Sequence, residues 1–210
     1  MRSDKSRKLS AAEARRLAHF DAICTELQAR GYRKTDLTIG LVAANVAVLA
    51  AAIPLAFIWF AVFFWANPDA SFSLAGNEIV LLLVAFAVLV VVHELAHGVT
   101  WSMFAEHGMK DIEFGFMKET LTPYCTCTTA LPRGKYLIGA LMPLLLLGIL
   151  PSIAAVAIGW SWLLVVGFVM TLSAGGDVMI AIKLLAYRSN ADEVLWYDHP
   201  TEAGGVIFER

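Results

Sequence analysis

Apolar residues along this chain gather into long runs separated by short polar intervals, and that pattern predicts membrane-spanning helices. Residues 39–65 are apolar apart from Asn45. About 20 such residues suffice to cross a bilayer, so this stretch predicts a first span. The turn Asn67, Pro68, Asp69 ends it. Residues 79–104 predict a second span, whose only formally ionisable members are His93, Glu94 and His97. Residues 136–187 are long enough for two more, with Pro151 followed by residues 159–161 as the break between them.

The intervals have their own periods. Ser10 and Glu13 form a capping-box pair, and Leu17, Phe20, Cys24 and Leu27 recur at helical spacing until Gly31 supplies a stop. This predicts an amphipathic helix, lying on the bilayer surface or packed on a neighbour. Between residues 105 and 135 the pattern changes to alternation, first in "DIEFGFM" and then in "YCTCTT", which predicts a β-hairpin at about 110–130. The tail is polar except for a short "VIF". The expected fold is an all-α integral membrane protein: four transmembrane helices, an N-terminal amphipathic helix and a small cytoplasmic β-hairpin. Its expected divisions are a cytoplasmic segment 1–38, a core 39–187 and a cytoplasmic tail 188–210.

Composition strengthens the membrane reading. Of 210 residues 59% are hydrophobic and 16% charged, whereas a soluble domain is about 45–50% apolar. The 16 basic residues nearly balance the 18 acidic ones, so there is no electrostatic footprint for nucleic acid. The expected partner at this level is the lipid bilayer. Lysine and arginine number nine before Ile39, none in 65–78, four in 105–135 and none around Gly159. This bias predicts a multi-pass protein of the cell membrane with both termini cytoplasmic. The first apolar run begins too late and is too long for a cleaved signal. Three cysteines, Cys24, Cys125 and Cys127, make no disulfide framework.

Ionisable groups inside a span are costly, about 2.5–3.5 kcal/mol for a charge at mid-bilayer, so those of the second span are functional candidates. His93 and His97 are four apart, which puts both imidazoles on one helix face with Glu94 beside them, in the pattern H-E-x-x-H. In zinc hydrolases of this type the histidines bind the metal and the glutamate acts as general base. A catalytic zinc normally has three protein ligands, and Asp177 is the only acidic residue in 136–187. The depths agree: 14 residues from Ile79 to His93 and 15 from Trp162 to Asp177 correspond to about 21 and 22 Å of helix. Gly175 and Gly176 remove bulk where the fourth helix would approach the second. Cys125 and Cys127 share a strand face as lesser ligand candidates, and Asn45 is expected to bond another helix.

With "HELAHG" in one helix and "GGD" in another, the chain resembles the site-2-protease-like intramembrane metalloproteases. More closely, it is similar to a family of small bacterial membrane proteins described as putative zincin peptidases. "YCTCTTALPRGKY", "ALMPLLLLGILP" and the tail "DHPTEAGG" extend the likeness from about Ile79 to the C-terminus. The resemblance implies Zn²⁺ held by His93, His97 and Asp177, with Glu94 as catalytic base, in a helical bundle that hydrolyses peptide bonds of a peptide or membrane-protein substrate. The setting "GGD" departs from the Asp-Gly of better-known site-2 proteases. Two rivals stand beside this reading. A zinc-stabilised scaffold would need the ligands but not Glu94. A metal transporter would need a polar path, for which Asn45, Thr171 and Ser173 are a thin set, and no inverted repeat is visible.

Overall fold

The structure, a computed structural model, describes residues 10–71, 76–117 and 122–210. Five residues counted in the charge bias, Arg2, Lys5, Arg7, Lys8 and Lys118, lie outside the described residues. Helix α1 (Ala11–Ala29) starts at the Ser10 cap, whose side chain accepts from the Glu13 amide while the Glu13 carboxylate accepts from the Ser10 amide. Strand β1 (Arg33–Asp36) leads to the apolar helices α2 (Leu41–Ala66) and α3 (Gly76–Ser102). A hairpin follows as the alternation predicts, β2 (Ile112–Met117) and β3 (Thr122–Cys127), and its register sets Phe114 opposite Cys125. A short β4 (Leu131–Pro132) opens α4 (Arg133–Pro143), which passes through a π-helical turn (Leu144–Ile149) into α5 (Leu150–Ile158). Gly159, at φ 71°, closes α5 in the left-handed region where glycine is favoured. Helices α6 (Ser161–Ser173) and α7 (Gly175–Ala186) and strands β5 (Val194–Asp198) and β6 (Gly205–Glu209) complete the chain.

Helices α2 and α3 and the run Arg133–Ile158 are each long and apolar enough to cross a membrane, whereas α6 and α7 qualify only as a pair bent by 48°. Val46, Leu49, Ile53 and Phe57 of α2 and Val80, Val84, Val88 and Val91 of α3 are exposed. So large an apolar surface is unfavourable in water and matched by lipid tails. Length and composition fit a multi-pass membrane protein.

The chain is mostly helical rather than all-α, because a second sheet joins the hairpin. Its order is β1-β6-β5-β4, antiparallel throughout. These strands are two to five residues long and drawn from segments far apart in sequence, so no local alternation announces them. The sheet also constrains topology. Strand β1 precedes α2, β4 lies between α3 and α4, and β5 follows α7. Each intervening group of helices must therefore return the chain to the sheet, α2 with α3 between β1 and β4, and α4–α5 with α6–α7 between β4 and β5.

Helix α1 packs on this sheet, with Phe20, Cys24 and Leu27 buried against Leu195, Tyr197, Val206 and Phe208. Of the two expected placements, the packed one is observed. It also reaches the hairpin: His19 Nε2 donates to the Thr128 carbonyl at 2.8 Å, and the Arg16 guanidinium lies 4.4 Å from the centre of the Tyr124 ring. At the sheet edge, Ser189 Oγ and Arg33 donate to the buried Glu209 carboxylate and hold it below the usual carboxylate range. A depressed folded value favours the folded state above the ordinary glutamate value of about 4.3, and that contribution is lost as pH falls through the folded value. Wild type should therefore lose thermal stability on acidification from pH 5 to 3 more steeply than Glu209→Gln, read from the near-ultraviolet dichroism of Trp196.

Candidate metal centre

His93 and His97 lie one turn apart on α3 and face inward, 7% and 4% exposed. Asp177 stands in the first turn of α7, where the helix dipole favours a carboxylate. The His93 Nε2 lies 3.2 Å from Asp177 Oδ2, His97 Nε2 lies 3.4 Å from Asp177 Oδ1, and the two Nε2 atoms are 3.2 Å apart. The matching depths thus meet in space. They were reckoned along straight rods, but α6 and α7 bend at Ala174. That joint is only three residues before Asp177 and keeps its hydrogen-bond ladder, from Ala174 N–H to the Met170 carbonyl and from Val178 N–H to the Ala174 carbonyl. The height estimate along α6 therefore survives.

Packing sets these positions. A Cβ at Gly175 would stand 2.5 Å from Val48 Cγ2, so this glycine admits α2, the first span, and not the second as expected. A Cβ at Gly176 would meet nothing within 4 Å. At its far end α7 is held by Arg133, which donates to the Leu185 and Tyr187 carbonyls at 2.9 and 3.2 Å, the kind of cationic cap that suits a helix C-terminus. His97 Nδ1 donates to the Gly139 carbonyl at 2.9 Å. The His97 ring stacks on Trp101 (4.9 Å, 13°), Trp101 on Tyr136 (5.2 Å, 15°), and Tyr136 leans on Trp196 of β5 (5.1 Å, 37°). Trp101 Nε1 donates to the Tyr136 carbonyl at 3.0 Å.

The donor set fits a metal ion. Because His97 Nδ1 carries the proton it gives Gly139, neutral His97 presents a lone pair at Nε2, and the Asp177 carboxylate presents lone pairs only. Lone pairs at this range are held together by a shared cation or by a proton on one of the Nε2 atoms. Ligands about 2.0–2.1 Å from a tetrahedral zinc lie about 3.3 Å from one another, close to the 3.2–3.4 Å contacts here. These are also the only three described residues of metal-binding type whose donor atoms cluster, all within 4.8 Å of one another.

A family profile described as "Putative zincin peptidase" matches residues 86–191, just over half of the chain, and takes in both histidines, Glu94 and Asp177. The chain belongs to this family. No curated protein and no solved structure matches it. Within this family member, Glu94 is half-buried on α3, the helix on which β3 of the hairpin packs. The hairpin comes close because Gly98, the last residue of "HELAHG", has no side chain. A Cβ there would lie 2.4 Å from Phe114 Cζ and 3.0 Å from Ile112 Cγ2.

The other candidates stand apart. Cys125 and Cys127 are outside the donor cluster, and burial pushes both thiols up, away from the thiolate that binds metal. His107 pairs with Asp111 at 3.1 Å. Asn45 is exposed on α2, and the Thr171 and Ser173 hydroxyls donate to the Gly167 and Val169 carbonyls of their own helix, so these groups line no polar path. Sequence reasoning missed Trp101, Gly139, Tyr136, Trp196 and Asp198. Trp101 alone left a signal, since it follows His97 by the same four-residue step. Asp198 accepts from Tyr136 Oη (2.7 Å), Trp196 Nε1 (2.9 Å) and Thr126 Oγ1 (2.9 Å), joining α4, the sheet and the hairpin.

Proposed function

We propose that this protein is an intramembrane zinc metallopeptidase, with Zn²⁺ held by His93, His97 and Asp177 and with Glu94 as general base. The observation that supports it most is the convergence of two imidazoles from α3 and one carboxylate from α7 on a common point, beside the glutamate of the same motif. When bound, the metal would polarise a scissile carbonyl and make a water acidic enough to lose a proton near neutral pH. Glu94 takes that proton and returns it to the leaving nitrogen. His97, fixed through Gly139, and Asp177, fixed through Gly175 and Arg133, keep the ligand atoms at their spacing. An extended substrate would add as a strand to the hairpin β2–β3, which packs on the helix that carries Glu94. A helical substrate would first unwind, because helical hydrogen bonds shield its carbonyls.

The positive-inside bias supports a centre nearer the cytoplasmic face, on the side that carries the sheet and hairpin. Metal analysis of purified protein tests the ligand set. Wild type is expected to carry one zinc per chain, and His93→Ala and Asp177→Ala essentially none. Zinc at wild-type occupancy in either variant would remove that residue from the set.

A further inference from the structure

The Gly139 carbonyl that fixes His97 is available for a reason written four residues further on. In an α-helix each carbonyl accepts from the amide four residues ahead. For Gly139 that residue is Pro143, which has no N–H and whose ring pushes against the carbonyl of the residue four before it. The next amide does not substitute for it, because Leu144 N–H donates to the Leu141 carbonyl. Gly139 O is thus left without a backbone donor inside a buried stretch of α4, and His97 Nδ1 supplies one at 2.9 Å. His93 gives the contrast: its Nδ1 is buried and has no partner among the described residues, so nothing comparable orients that ring.

We infer that Pro143 is a positioning residue for the metal centre, which by withholding an amide hydrogen and tilting the Gly139 carbonyl outward sets the tautomer and ring plane of His97. The inference rests on reading His93, His97 and Asp177 as zinc ligands and adds the device that readies one of them. Ligating histidines are commonly steered by a hydrogen bond from the second ring nitrogen, and loss of such a partner weakens metal binding by about 10–100-fold. An alanine at 143 would restore the missing amide and draw the carbonyl back along the helix axis, while a straight helix interior tolerates alanine best of all residues.

The test compares wild type, Pro143→Ala, Pro143→Ser, Pro54→Ala and His93→Ala, all full-length and in detergent. Pro54 is the control, a proline inside α2 that is placed in no part of the centre. One readout is zinc affinity against a competing chelator. A second, independent of metal and activity, is the ¹⁵N spectrum of histidine-labelled metal-free protein, which reports the nitrogen of His97 that carries the proton. Expected are a proton on Nδ1 in wild type and Pro54→Ala, a mixed tautomer in both Pro143 variants, and zinc binding about 10–100-fold weaker in those two alone. Wild-type affinity with an unchanged His97 spectrum in a folded Pro143 variant would overturn the inference. So would a wild-type His97 protonated on Nε2, whether or not the variants fold. Zinc bound normally by His93→Ala would instead sink the ligand assignment, leaving the tautomer result to stand or fall by itself.

Discussion

Glu94→Gln is expected to keep its zinc and to lose peptide hydrolysis by about 10²–10⁴-fold, the usual contribution of a positioned general base. The amide has the size of the carboxylate, and the close approach of α3 and the hairpin rests on Gly98 against Phe114 and Ile112, so that contact is retained. None of the three clustered donor atoms belongs to Glu94, and metal content should match wild type. Only the capacity to take up a proton is removed. Hydrolysis is best followed by mass spectrometry on a library of unstructured peptides, with zinc measured on the same preparations. Equal hydrolysis by variant and wild type would leave the ligands in place and favour the non-catalytic scaffold instead.

Gly139→Ala is expected to damage the centre without touching a ligand. Its Cβ would fall 2.2 Å from Trp101 Nε1 and Cδ1, atoms of an indole that is 3% exposed and stacked between His97 and Tyr136. A ring so enclosed has nowhere to go, and overpacking of this kind costs about 1–3 kcal/mol. Displacing Trp101 also moves the surface on which His97 rests, so zinc affinity should fall about 10–100-fold with the fall in thermal midpoint. Gly134→Ala is the matched control on the same helix, since a Cβ there meets nothing within 4 Å. A Gly139→Ala protein with unaltered midpoint and affinity would show that the aromatic stack does not hold His97.

What could be read in the sequence divides along the range of the interactions. The long apolar helices, the hairpin and the gathering of His93, His97 and Asp177 were legible because each rests on local spacing: an apolar run, alternation, a four-residue step, one acid in an otherwise neutral stretch. The Ser10 cap was legible for the same reason. The four-stranded sheet was not, since β1 and β6 pair residues as far apart as Arg33 and Glu209. Nor was the bend at Ala174, which glycine propensity permits but only the packing of Gly175 on Val48 places. The partner of a glycine lies elsewhere in the chain, so the spacing of "GGD" could not say which helix it admits.

The position of β6 bears on biosynthesis. It follows every other described element yet sits between β1 and β5, donating or accepting along both edges. Until β6 has been made, β1 has no strand to pair with, because β6 is its one neighbour in the sheet. Closure of the four-stranded sheet therefore waits for the last described strand, and until it arrives β1 and β5 each keep an unpaired edge open to wrong pairing.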